Sequence, residues 1–223
     1  MQILIVGFQR SGTTLLRRLL HQHPHVRQVF HEKFLLRECN TKEELIQFVD
    51  SKGINPLVEN WGEKAPFYPA VRGIPVIEYC KRWTRYFGST SRILHTIRHP
   101  IDVALSVVKK RRKGGIDHPL KIYTNLMRSV VPKIENMKNS FSFKYEDLIT
   151  NPDEVLPQIY EFCGIDKDVD FRAFMSMLKN PKYQTFDSSR AFAYKKNPPK
   201  IQIKLDSTIN VINRKIGGVD YKV

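Results

Sequence analysis

The stretch ILIVGFQRSGTTLLRRLL, residues 3–20, constrains this chain most. Ile3, Leu4, Ile5 and Val6 form an unbroken apolar run ended by Gly7, the pattern of a strand buried on both faces. Gly12 opens a tight turn. Leu15, Leu16, Leu19 and Leu20 then share one stripe of a helix expected over about Gly12 to His23, where Pro24 stops it. Strand, glycine loop and helix together aim backbone N–H groups and a helix N-terminus at one point, which suits an anion. A plain glycine turn between strand and helix is the bland alternative, and the loop alone does not choose.

The spacing of Gly7, Gly12 and Thr14 fits the phosphate-loop pattern G-x-x-x-x-G-K-[ST] except that Thr13 stands where the lysine belongs. That lysine normally reaches the β- and γ-phosphates, so ordinary ATP or GTP chemistry is disfavoured. The cation of this loop is Arg10.

Downstream, helical and strand patterns alternate. Thr41 to Val49 reads as a helix with Thr41 as N-cap and Glu44 closing a capping box. Lys52 to Pro75, rich in Gly and Pro, reads as irregular. Val76 to Phe87 reads as helix, Arg92 to Arg98 as a second core strand, and Pro100 as the start of a helix to about Lys113. Further helices are expected over Leu120 to Lys138 (kinked or broken at Pro132), Pro152 to Cys163, Val169 to Leu178 and Ile201 to Ile216, with a strand over Phe141 to Tyr145. The alternation predicts an α/β fold of phosphate-loop type: one three-layer domain over residues 1–223, with a central parallel sheet flanked by helices. Ligands of such sheets sit at the carboxyl ends of the strands, where Arg10, Arg98 and Tyr145 all fall.

Charge narrows the partners. The formal charge of +15 favours polyanions, whether nucleic acid, anionic membrane, phosphorylated cofactor or acidic glycan. Lys109 to Lys113 is the densest basic run, either a solvated helix end or an anion-binding surface. No apolar run is long enough to span a membrane and no export signal is visible. Cys39, Cys80 and Cys163, odd in number and widely spaced, read as free thiols of a reducing, cytoplasmic setting. His21, His23 and His25 lack the cysteine or carboxylate partners of a metal site, and no metal is expected.

Four segments in order carry a family resemblance. Phe8 to Leu15, FQRSGTTL, resembles the 5′-phosphosulfate loop of sulfotransferases that use 3′-phosphoadenosine-5′-phosphosulfate (PAPS), with Gln9 where proline is usual. Arg98 to Ser106, RHPIDVALS, resembles the family's 3′-phosphate segment. Glu63-Lys64-Ala65-Pro66 and Lys144-Tyr145-Glu146-Asp147-Leu148 are similar to two further family segments. The motif style is nearest the protein-tyrosine and glycan branch. The resemblance implies sulfuryl transfer from PAPS, leaving PAP, to an acceptor hydroxyl by in-line displacement, with no metal.

It also implies roles. Arg10 and the amides of Ser11, Gly12, Thr13 and Thr14 would hold the 5′-phosphate and leaving-group charge. Arg98 and Ser106 would bind the 3′-phosphate. The general base would be a glutamate soon after the first helix, which leaves Glu32 and its neighbour His31 in competition. Lys64 would stabilise transition-state charge. Tyr145 would hydrogen-bond the cofactor or serve as a strand-end core aromatic. Ser188, Ser189 and Arg190, with Lys195 and Lys196, would form a late loop over PAPS, although the R-K-G signature of the small-molecule branch is missing. Glu63 reads as structural or solvated, and Asp102 as a helix-start residue. The acceptor is expected to be a glycan or peptide hydroxyl, with no specific nucleic acid partner. The rivals are a phosphate-loop nucleotide kinase or NTPase, and a non-catalytic polyanion binder.

Overall fold

The computed structural model describes residues 1–66, 74–111, 115–165, 188–196, 198–201, 204–216, 218 and 220–222. Five parallel strands form one sheet in the order β2-β3-β1-β4-β5. They are β1 (Gln2–Gly7), β2 (Gln28–His31), β3 (Trp61–Lys64), β4 (Ser91–Ile97) and β5 (Ser140–Lys144). The helices are α1 (Thr13–Gln22), α2 (Leu35–Glu38), α3 (Lys42–Asp50), α4 (Val76–Phe87), α5 (Pro100–Arg111), α6 (Asp117–Glu135), α7 (Tyr145–Thr150), α8 (Pro152–Phe162) and α9 (Asp206–Lys215).

The apolar run of β1 is buried on both faces because helices cover both. Leu4 and Val6 join a core with α2 to α6 and α9, while Ile3 and Ile5 join a second core with α1, α7 and α8. Strand β4 divides likewise, Ile93 and Ile97 to the first core and Leu94 to the second. The larger core is dense in aromatics: Trp83, fully buried, meets Trp61 and Phe87 edge-on at centroid distances of 5.6 and 4.9 Å. Truncating so large a buried ring to alanine costs about 3–5 kcal/mol.

Strand β1 pairs with β3 on one side and β4 on the other, so the strand order reverses there. Such a switch point opens a crevice at the strands' carboxyl ends. The loop 8–12 leaves β1 at that edge, and His31, Lys64, Ile97 and Lys144 end the neighbouring strands.

Several expected bounds shift. Strand β3 arises inside the segment expected to be irregular; it is short, and its Glu63 and Lys64 hide the apolar signature of a central strand. Helices α2 and α7 were not expected. Helix α6 continues through Pro132 to Glu135. Helix α9 begins at Asp206 rather than Ile201. The expected helix at Val169 to Leu178 and the end of the Lys109 to Lys113 run lie outside the described residues. Thr41 does cap α3, accepting from the Glu44 amide at 3.1 Å, but the Glu44 carboxylate receives the Asn40 N–H instead of the Thr41 N–H a capping box uses.

Candidate active site

The loop is shaped by close approach. A Cβ on Gly12, whose φ is +99°, would lie 2.3 Å from Cδ2 of Tyr145, so the backbone touches the ring and only glycine fits. Ser11 turns inward, fully buried: its N–H and Oγ–H both donate to the Phe8 carbonyl, at 3.0 and 2.7 Å. Its own carbonyl accepts from the Thr96 hydroxyl at 2.7 Å. The Ser11 amide, expected to face the phosphate, here donates within the loop. The amides of Gly12, Thr13 and Thr14 open α1, in the first turn, whose N–H groups have no intrahelical acceptor. The Thr13 side chain is buried and Thr14 is exposed.

Around this cradle stand the strand-end cations. Arg10 Nε donates to Ser106 Oγ at 2.9 Å. Arg98 follows β4; its guanidinium lies 4.6 Å over the centroid of the Tyr145 ring and donates to the Arg10 carbonyl at 3.3 Å and the Arg190 carbonyl at 2.9 Å. Arg98 Nε is buried with no hydrogen-bond partner among the described residues. A buried donor left unsatisfied costs roughly 1–3 kcal/mol, so this atom points to an anionic ligand. Tyr123 fixes the Arg98 backbone, its hydroxyl donating to the Arg98 carbonyl at 2.7 Å. Tyr145 is buried, and its ring forms the platform between Gly12 and Arg98. Ser106, Arg10, Arg98, Gly12 and Tyr145 therefore converge, as expected. Ser188, Ser189 and Arg190 form an exposed 3-10 turn, and the Arg190 carbonyl links it to the cluster by accepting from Arg98.

The second half of the site comes from β2 and β3, which pair in register with His31 opposite Lys64. Lys64 is 2% exposed, and its Nζ lies 2.6 Å from Glu32 Oε1 and 3.1 Å from Thr14 Oγ1. One ammonium thus joins the cradle to a carboxylate. Burial pulls the Lys64 ammonium below its ordinary pKa; Glu32 opposes this, while Arg17 and Lys110 act in the direction of burial. His31 is exposed, and partial burial together with Lys64 lowers its pKa.

Glu63 points to the opposite face from Lys64. Fully buried, it accepts the Leu35 N–H at 3.1 Å and the Tyr79 hydroxyl at 2.6 Å. Burial raises its pKa to about 7. It is structural, not solvated: it fixes the start of α2 just after Glu32. Asp102 is likewise more than a helix-start residue, for its carboxylate accepts the N–H groups of Ala193 and Tyr194 at 3.1 and 2.9 Å. Sequence offered no signal for these long-range partners. The four non-glycine residues with φ in the left-handed region among the described residues are Arg10, Glu32, Phe34 and Phe192, all in segments around this site. Such strain concentrates where function requires a fixed geometry. His23, by contrast, is buried against Tyr160, and its Nδ1 accepts the His25 amide.

Fold and strand-end cluster define a phosphate-loop α/β protein. The sulfotransferase domain family matches residues 1–222, so the chain belongs to the sulfotransferase family and is an enzyme of that type. No curated protein matches the sequence significantly. Among solved structures, the fold is similar to the sulfotransferase domain of the Synechococcus PCC 7002 olefin synthase (TM-score 0.64, 18% identity, covering 96% of this chain and 94% of that one). It is similar to the sulfotransferase domain from the curacin biosynthetic pathway (TM-score 0.63, 19% identity, 95% and 96% covered). The sulfotransferase STF9 from Mycobacterium avium follows, with TM-score 0.58, 12% identity, and 96% and 75% covered.

Proposed function

We propose that this chain, acting as a single domain, transfers a sulfuryl group from PAPS to a hydroxyl of a glycan or peptide-tyrosine acceptor, with Glu32 as general base. The observation that carries this reading is the Lys64 ammonium shared between Glu32 Oε1 and Thr14 Oγ1. It puts a proton acceptor, a cation and the phosphate cradle within one chain of contacts.

PAPS supplies the sulfuryl group and departs as PAP. The chain's residues do the rest. The amides of Gly12, Thr13 and Thr14, with Arg10, hold the 5′-phosphate and receive charge on the leaving oxygen. Arg98, with its unsatisfied Nε, binds the 3′-phosphate together with Ser106, whose Oγ also accepts from Arg10 Nε and so ties the two phosphate ends of the site together. Lys64 neutralises charge at the transfer centre. Glu32 takes the acceptor proton at Oε1 or Oε2. His31, the competing base, is exposed, and it is Glu32 whose carboxylate pairs with the Lys64 ammonium that also reaches Thr14.

An anionic acceptor suits the surroundings. Arg17 and Lys110 lie close enough to Lys64 to depress it electrostatically, and Lys109 and Arg111 are exposed beside Lys110. In a phosphate-loop NTPase, the hydroxyl corresponding to Thr14 faces Mg²⁺; here Thr14 receives the Lys64 ammonium, which favours the sulfotransferase reading. Among the described residues no helix is long and apolar enough to cross a membrane. Cys39, Cys80 and Cys163 are buried free thiols, which favours a cytoplasmic setting.

The test is transfer from labelled PAPS to a panel of hydroxyl acceptors matched in size, anionic and neutral. Labelled anionic glycan or tyrosine peptide is the expected product. Absence of transfer to every member, or a preference for neutral acceptors, would contradict the corresponding part of the proposal.

A further inference from the structure

The segment Arg98 to Asp102 does more than supply one phosphate ligand. Three of its side chains grip the same distant stretch. The Arg98 guanidinium donates to the Arg190 carbonyl at 2.9 Å. The His99 ring stacks on Tyr194, with centroids 4.4 Å apart and planes 15° from parallel. Both Asp102 oxygens are used: Oδ2 accepts the Ala193 N–H at 3.1 Å and Oδ1 the Tyr194 N–H at 2.9 Å. Asp102 is 2% exposed, and its Oδ2 also lies 3.8 Å from Arg98. A further layer holds His99: its N–H donates to Glu146 Oε1 at 3.0 Å, its Nε2 bonds the Lys222 carbonyl at 3.1 Å, and Glu146 receives the Tyr221 hydroxyl.

A buried carboxylate facing two backbone N–H groups and one guanidinium is chemically complete, with no donor role to offer a substrate. Its effect is mechanical. We infer that Asp102, seconded by His99, is a positioning residue that latches residues 190–194 onto the cofactor crevice and holds Arg98 aimed at the 3′-phosphate. The latch orders this segment before the cofactor arrives, so that ordering is not charged against binding. It also fixes where Arg190 and Lys195 stand relative to the phosphate end of the site. The inference rests on the assignment of Arg98 to that phosphate.

The test pairs two measurements on the full chain. Amide hydrogen exchange of residues 190–194 is followed without ligand, and PAP and AMP affinities are measured by calorimetry together with kcat and KM for PAPS. In Asp102→Ala the Ala193 and Tyr194 amides should lose protection, and the Kd for PAP and KM for PAPS should rise about tenfold, with a smaller change in kcat. Asp102→Asn, which keeps one oxygen acceptor, should recover part of both. Tyr194→Ala keeps Arg98, Asp102 and both gripped amides and removes the His99 stack, so KM should rise in the same direction but less than in Asp102→Ala, which guards against a merely misfolded Asp102→Ala. Unchanged protection, or a fall in kcat at constant KM and Kd, would overturn the latch. Failure of the wild type to prefer PAP over AMP would overturn the phosphate assignment instead, while the ligand-free exchange would still judge the latch itself.

Discussion

Lys64 Nζ sits 2.6 Å from Glu32 Oε1, with the lysine side chain 2% exposed and the glutamate 29%. The two differ in access: the lysine lies inside the protein, while the glutamate stays partly open to solvent. Register produces this pairing. His31 on β2 lies opposite Lys64 on β3, the Glu32 N–H donates to the Lys64 carbonyl at 3.0 Å, and the left-handed φ of Glu32 turns the chain just past the strand end.

Glu32→Gln should lower kcat by roughly 10²- to 10⁴-fold, the range of a lost general base, with PAP affinity preserved. Steady-state kinetics and calorimetry check this. His31→Ala should have a much smaller effect; the reverse ranking would move the base role to His31.

Lys64→Met should lower kcat too, and the double variant with Glu32→Gln should fall short of the product of the single effects. Residues in direct contact are not additive, and here each partner sets the other's charge environment. Strict additivity in the double-mutant cycle would argue that the two act separately.

Gly12→Ala should abolish measurable PAP binding. Its Cβ would be 2.3 Å from Tyr145 and its φ of +99° disfavours any side chain. Either the loop or the Tyr145 platform under Arg98 must move. Retained wild-type affinity would show that the cradle does not depend on this close approach.

Glu63 gives a pH signature. Burial raises its pKa from the ordinary 4.5 to about 7, so the folded state holds a proton the unfolded chain releases. Its protonated form therefore contributes stability fully below about 4.5, and that contribution is lost as pH rises through about 7. Glu63→Gln stays neutral throughout. In urea titrations the stability of wild type relative to Glu63→Gln should fall between those pH values; a constant difference would contradict the buried, proton-binding carboxyl.

Much of the frame was legible in sequence because it rests on local pattern. The unbroken run of β1, the glycines at 7 and 12, and the Leu stripe of α1 are short-range signals, and the structure keeps them nearly to the residue. Strand β3 was not legible. Trp61-Gly62-Glu63-Lys64 carries two charges into a strand between two others, tolerable only because Tyr79, Leu35, Glu32 and Thr14 satisfy them. Those partners lie far off in sequence. Helix α2 was hidden for the same reason: its start is fixed by Glu63, 28 residues on from Leu35, rather than by a local cap. The role of Asp102 depends on amides 91 and 92 residues away. Local rules fail where distant groups assemble the site.

The most direct measurement of the central claim is calorimetric titration of wild type and Arg98→Ala with PAP, AMP and ATP–Mg²⁺. The two-phosphate site predicts that wild type binds PAP more tightly than AMP or ATP–Mg²⁺, and that Arg98→Ala erases the preference of PAP over AMP. Equal affinity of wild type for PAP and AMP, or a preference that survives Arg98→Ala, would contradict it.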